Sequence, residues 1–158
     1  MSTSKKIEWS DAMLTGVDEM DSQHHILVDT LSELSTRLAE NSVDPMFDRV
    51  TRDLLAYAIY HFDTEELLMQ QYSYAAAAPD HAARHLAAHR GFAERVVKLR
   101  DDARTGRPGA DVALLRFLES WLVDHIMTID KRLGEFVCSH RKPDDGTQTP
   151  DRNSDKLR

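Results

Sequence analysis

The sequence is poor in cysteine and in positive charge. Its 158 residues include a single cysteine, Cys138. One thiol excludes an intrachain disulfide framework and a zinc site built from several thiolates. Twenty Lys and Arg residues stand against 27 Asp and Glu residues, for a formal net charge of −7. This balance lacks the electrostatic footprint of a protein that binds nucleic acid or an anionic membrane surface.

Long apolar runs are also missing. No run approaches transmembrane length, and the first ten residues, MSTSKKIEWS, lack the apolar core of a signal peptide. We therefore expect a cytoplasmic protein. No segment alternates between apolar and polar residues as a strand does. Histidine is comparatively abundant, with eight residues, most of them inside apolar periodic segments.

Four amphipathic segments with helical periodicity account for most of the chain. They cover residues 18–40, residues 45–72, the stretch from Pro79 to the RTGRPG breaker at 104–109, and residues 110–138. The pattern predicts an all-α, up-down-up-down antiparallel four-helix bundle in one domain, residues 1–140. We expect residues 1–17 to form an N-terminal arm and the polar residues 141–158 to be a disordered tail.

The apolar stripes of these segments contain polar residues where leucine would be expected. Burial of one such group without a partner costs several kcal/mol, and the whole stability of a small domain is about 5–15 kcal/mol. Six such side chains without partners would use up that stability, so a common set of partners must satisfy all six. The residues are His24, His61, Glu65, His85, His89 and His125.

Depth along the bundle indicates which histidines meet. His24 and His61 each lie about 16 residues from the first link, which is about 24 Å along a helix. The pair His85 and His89 matches the depth of His61 and Glu65. The alternative pair, His81 and His85, would be displaced by about four residues, or about 6 Å.

Five imidazoles and two carboxylates at one level indicate a dinuclear metal site. This donor set suits iron, manganese or zinc. The second carboxylate is Asp130, and its position is awkward, because five residues of α-helix rotate it about 140° from His125. Asp130 must therefore reach sideways, or the helix must contain a local bulge.

The motifs resemble those of the hemerythrins, in particular the bacterial hemerythrin-like branch. The matching pieces are GVDEMDSQHHIL (16–27), HFDTEELLM (61–69), HLAAHRGF (85–92) and WLVDHIMTID (121–130). The resemblance implies a non-haem di-iron centre that binds O2. It implies that His24 and His61 ligate one iron, that His85, His89 and His125 ligate the other, and that Glu65, Asp130 and an oxo or hydroxo ligand bridge them. Leu122 and Ile126 match the family's apolar O2 pocket.

The chain departs from the family pattern between Glu65 and the next histidine pair. This stretch is longer than usual, and the proline of the usual tyrosine-proline turn is postponed to Pro79. The motif alone therefore leaves His81 and His85 open as the alternative pair. The depth count and the following Phe92 favour His85 and His89.

Two functions are compatible with such a centre. The first is reversible O2 binding, as a carrier, a store or a supplier to an oxygen-using partner, without enzymatic activity. The second is a di-iron enzyme: an oxidase, a peroxidase, or a protein that handles nitric oxide or iron. Ferritin-type oxidases need more carboxylates and fewer histidines, which favours reversible binding. The expected partners are O2 and an oxygen-using protein or electron donor, and we expect a monomer.

Overall fold

The computed structural model describes residues 6–40 and 45–141, and within these ranges the chain forms helices and no strand. A short 3-10 turn, Asp11–Met13, precedes six α-helices and one π-helical segment. These are α1 (Asp18–Glu40), α2 (Pro45–Gln71), α3 (Tyr74–Ala77), α4 (Pro79–Arg104), α5 (Ala110–His125), the π segment (Ile126–Asp130) and α6 (Lys131–His140).

Local sequence signals set the helix boundaries. Pro45 and Pro79 are the first residues of α2 and α4, where the missing N–H of proline costs no hydrogen bond. The RTGRPG sequence ends α4, with Gly106 and Gly109 at φ of 73° and 76°. A residue with a Cβ is strained in that left-handed region, so both glycines are needed for the turn.

The four long elements form the predicted antiparallel bundle. Helix α1 packs against α2 and α5, and α4 packs against α5 and α2, which closes the ring of four. The π segment joins α5 to α6, so these three elements make one long fourth helix. The all-α, up-down-up-down bundle predicted from periodicity is confirmed.

Two apolar clusters fill the bundle, and a polar layer separates them. The larger cluster extends from the α1–α2 link to the polar layer and includes Leu31, Leu54 and Leu118. The smaller cluster lies at the other end and includes Met20 and Leu133. The predicted metal ligands occupy the layer between these clusters, away from solvent.

The predicted segments needed two corrections. The second helix ends at Gln71 rather than residue 72, and the fourth continues to His140 rather than residue 138. The link before Pro79, which lies outside the predicted helical segments, contains the one-turn helix α3, whose Tyr74 is buried against Phe136. Of the predicted disordered tail, residues 141–158, the structure describes only Arg141, which forms a salt bridge with Glu19, and residues 142–158 lie outside the described residues.

The N-terminal arm docks at the start of α1. The Asp21 carboxylate accepts hydrogen bonds from the backbone N–H and the hydroxyl of Thr15, both at 2.8 Å. Among the described residues, no helix has the length and hydropathy required to cross a membrane.

Candidate metal centre

All seven predicted ligands are buried at one level of the bundle. Each is at most 5% exposed. Helix α1 contributes one, α2 two, α4 two, and the long fourth helix two. They are His24, His61, Glu65, His85, His89, His125 and Asp130.

The Glu65 carboxylate divides its two oxygens between two sets of histidines. Its Oε1 lies 2.8 Å from Nε2 of His61 and 3.4 Å from Nε2 of His24. Its Oε2 lies 3.0 Å from Nε2 of both His85 and His89. A carboxylate that faces two donor sets in this way is positioned to bridge two cations.

The Asp130 carboxylate is divided in the same manner. Its Oδ2 lies 2.9 Å from Nε2 of His24, and its Oδ1 lies 3.1 Å from Nε2 of His85 and 3.0 Å from Nε2 of His125. One oxygen of Glu65 therefore faces the histidines of α1 and α2, and one oxygen of Asp130 faces His24 of α1, while the other oxygen of each faces histidines of α4 and α5.

A π-helical segment explains how Asp130 reaches the centre. The chain winds as a π-helix from Ile126 to Asp130, immediately after His125. In a π-helix the hydrogen bonds run from i to i+5, so residues five apart lie on one face. Of the two routes considered from the sequence, the local bulge is therefore the one present.

Several polar atoms in this layer have no hydrogen-bond partner within the described part of the chain. They include both oxygens of Asp130, Oε1 of Glu65, and Nε2 of His24 and His125. Each of them nevertheless lies 2.8–3.0 Å from a nitrogen or oxygen atom of another predicted ligand. Buried polar atoms are nearly always satisfied, so this set fits one or more cations placed between them.

The donor atoms separate into two groups of four. In each group the donor atoms lie within 4.8 Å of one another, and Glu65 belongs to both. The first group is His24, His61, Glu65 and Asp130; the second is Glu65, His85, His89 and His125. Nitrogen and oxygen donors without sulfur suit iron, manganese or zinc.

The protein's own charges set the protonation of this layer. Burial opposes the charged form of His24, but the carboxylates of Asp130 and Glu65 outweigh it and raise the pKa to about 9. His125 has its pKa raised to about 9 by the same balance of burial against Asp130 and Glu65. Burial raises the pKa of Asp130 itself, but the surrounding histidines prevail and hold it well below its usual range.

The structure separates His81 from the centre. His85 and His89 both face Glu65, whereas His81 is partly exposed, and its Nδ1 accepts a hydrogen bond from the Arg132 guanidinium at 2.9 Å. This is the arrangement that the depth count favoured. His81 lies one helical turn away, toward the start of α4.

Two residues that were not predicted as part of the site, Gln23 and Glu66, accept hydrogen bonds from ligand histidines on the side of the ring that faces away from the centre. Nδ1 of His61 donates to Oε1 of Gln23 at 2.7 Å, and the Gln23 amide donates to the Thr64 hydroxyl at 3.0 Å. Nδ1 of His89 donates to the Glu66 carboxylate at 3.3 Å. Both contacts fix the orientation of the ring and direct its Nε2 at the centre, as a metal ligand requires.

An apolar layer covers the centre on one side. Leu122 and Ile126, the predicted pocket residues, are 6% and 0% exposed. Leu122 also lines a small apolar cavity of about 20 Å³, together with Leu27, Ala58 and Phe92 among others. Leu27, Ala58, Phe92 and Leu122 are each three residues, about one turn, from a predicted ligand.

Comparison with known proteins gives one consistent result. The family model described as the hemerythrin HHE cation binding domain matches residues 15–137. A bacteriohemerythrin of Stenotrophomonas maltophilia is 29% identical over 135 residues, which cover 84% of this chain and 82% of that protein. A bacteriohemerythrin of Methylococcus capsulatus is 30% identical, covering 79% and 91%. A myohemerythrin of Riftia pachyptila is 28% identical, covering 77% and 86%.

Proposed function

This chain belongs to the hemerythrin family of cation-binding domains, and from that premise we propose that it is a non-haem di-iron protein that binds O2 reversibly. The observation that carries the proposal is the division of the Glu65 and Asp130 oxygens between two sets of histidines. Di-iron proteins built on helical bundles use carboxylates from facing helices in this way.

The donor sets support a division of labour between the two ions. His24 and His61 would hold one ion, and His85, His89 and His125 would hold the other. If Glu65 and Asp130 each gave an oxygen to both ions, the set with two histidines would supply one protein ligand fewer than the set with three, which would leave room there for O2. The chemistry that a bound pair of iron ions supplies is the transfer of two electrons to O2 and their return on release.

The apolar residues beside the ligands exclude water from that position. Leu122 and Ile126 offer no hydrogen-bond donor or acceptor in their side chains, and both are buried. Removing water slows the proton-assisted loss of reduced oxygen species, which would otherwise leave the centre oxidised. The side chains thus favour reversible binding over turnover.

The donor composition also favours an O2-binding role over an oxidase. Five histidines and two carboxylates make a set richer in nitrogen than the Glu-x-x-His sites of ferritin-like oxidases. We propose a role as a carrier, a store or a supplier to an oxygen-using partner, and not as an enzyme.

A visible spectrum tests this role directly. The protein purified in air is expected to show absorption bands that vanish on reduction and return when O2 is admitted, without continued O2 consumption. Steady consumption in the presence of a reductant would instead identify the oxidase or peroxidase alternative. A colourless protein without iron would refute both.

Two histidines of α4 provide a matched test of the ligand set. His89→Ala removes a proposed ligand and is expected to reduce bound iron and the visible bands. His81→Ala changes the histidine one turn before His85 and is expected to leave the bound iron and the visible bands unchanged. Equal losses in the two variants, or a loss only in His81→Ala, would contradict the assignment.

We further propose that the protein works in the cytoplasm as a monomer, with residues 1–140 forming one hemerythrin-like unit. The docking of the arm on α1 and the two apolar clusters, each built from several helices, support a single unit. Light scattering on the eluted protein is expected to give the mass of one 18.0 kDa chain. A dimer mass would refute the monomer.

A further inference from the structure

A second polar cleft lies outside the metal centre, and we call it the arginine cleft. It has a volume of about 300 Å³ and lies where α3, the start of α4, the π segment and α6 meet. Its lining residues are Tyr74, His81, Arg84, Thr128, Ile129 and Arg132.

The two guanidinium groups of this cleft lack acidic partners. Every arginine salt bridge among the described residues involves other arginines. Neither Arg84 nor Arg132 therefore has a carboxylate oxygen within 4.0 Å in the described ranges. The chain has a net charge of −7, so two guanidinium groups without acidic partners give this cleft a positive charge on an otherwise negative protein.

Two further polar side chains of the cleft, His81 and Thr128, are already engaged in hydrogen bonds, so the guanidinium groups are its main donors. Nη1 of Arg132 lies 2.9 Å from Nδ1 of His81 and 3.5 Å from Nε2 of the same ring, so the His81 imidazole helps to hold the guanidinium in the cleft. The Thr128 hydroxyl donates its proton to the backbone oxygen of Asp124 at 2.6 Å. Tyr74 and Ile129 add apolar surface to the wall.

We propose that the arginine cleft binds a small oxyanion, namely a phosphate or carboxylate group, independently of the metal centre. The planar fork of guanidinium N–H groups matches the two oxygens of either group. The volume is at the lower limit for small-molecule sites, about 300–1,000 Å³, so the ligand is small. The group occupies the space between the guanidinium of Arg84 and that of Arg132.

Calorimetric titration of the purified, metal-loaded protein tests the proposal. Inorganic phosphate and succinate are titrated separately in a buffer of low chloride concentration, and saturable binding of one anion per chain is expected for at least one of them. The anion that binds more tightly shows whether the cleft prefers a phosphate or a carboxylate group. The absence of saturable binding for both would overturn the proposal.

Variants of exposed arginines locate the site. Arg84→Met and Arg132→Met are each expected to weaken binding about tenfold or more, because each removes hydrogen bonds to a charged group. Arg132→Lys is expected to recover part of the affinity, because it keeps the charge but not the fork. All are expected to retain wild-type iron content and melting temperature.

The control is Arg95→Met, another exposed arginine of α4 that does not line the cleft. It is expected to bind the anion as the wild type does. If it weakens binding as much as Arg84→Met does, the anion responds to general surface charge and the site is refuted. Unchanged binding in both Arg84→Met and Arg132→Met would refute it equally.

Discussion

Replacement of Gln23 by leucine tests how the protein orients its histidines. Gln23 is 9% exposed, and its Oε1 accepts a hydrogen bond from Nδ1 of His61 at 2.7 Å. Gln23→Leu keeps a side chain of similar size but removes this acceptor. His61 then loses the contact that keeps its proton on Nδ1 and Nε2 free for a cation.

The expected loss of metal affinity is about 10- to 100-fold, the usual effect of removing such an outer contact. This corresponds to about 1.4–2.8 kcal/mol of binding free energy. Competition for iron(II) against a chelator of known affinity measures it. Gln23→Glu keeps an acceptor oxygen at the same place and is expected to restore the affinity.

The matched comparison is Glu66→Gln, which alters the outer contact of His89. Glu66 is 39% exposed and its carboxylate lies 3.3 Å from His89 Nδ1, so solvent screens the interaction. We expect a loss of at most about fivefold. If Gln23→Leu binds iron as tightly as the wild type, or if Glu66→Gln loses more than Gln23→Leu, burial and distance do not govern these contacts and the reasoning fails.

Three further predictions follow from other parts of the structure. Metal binding requires neutral imidazoles, and His24 and His125 have pKa values of about 9 in the metal-free protein. Loading the protein with metal at pH 7 should therefore release protons into a weakly buffered solution, and the metal affinity should rise with pH toward about 9. A metal affinity that does not depend on pH would contradict this. Gly134→Ala would place a Cβ 2.5 Å from a backbone oxygen of the N-terminal arm and should lower the free energy of unfolding by about 1–3 kcal/mol. Gly91→Ala meets no atom within 4 Å and should raise the free energy of unfolding by about 0.5–1 kcal/mol. Denaturant unfolding measures both changes, and a change of the opposite sign in either variant would contradict the prediction. Leu122→Asn should admit water, leave iron content intact and speed autoxidation, as followed by decay of the O2-dependent bands; an unchanged rate would argue against a dry pocket.

Periodicity and spacing were sufficient to predict the bundle. Helix α1 has the predicted bounds, and the prolines at 45 and 79 begin the helices they were expected to begin. The reason is physical: a stripe of apolar residues at helical spacing can be buried in few ways, and proline and glycine set the boundaries locally. The one-turn helix α3 was missed because its YAAA sequence has no stripe to reveal it.

The candidate site was predictable where depth along a helix decides the outcome. The preference for His89 over His81 as the partner of His85 needed only the rise per residue, and the structure places His85 and His89 beside Glu65. The spacing of His125 and Asp130 conflicted with an α-helix and left two routes open, a sideways reach or a bulge, of which the structure has the bulge. The contact of Gln23 with His61 was not predictable, because it depends on side-chain torsions rather than on spacing.

Anomalous diffraction at the iron edge, from crystals of the protein purified in air, tests the central claim most directly. The account predicts two iron peaks per chain, both in contact with Glu65 and Asp130, one between His24 and His61 and the other among the three remaining histidines. A single peak, a peak elsewhere, or seven side chains packed around no metal at all would contradict it.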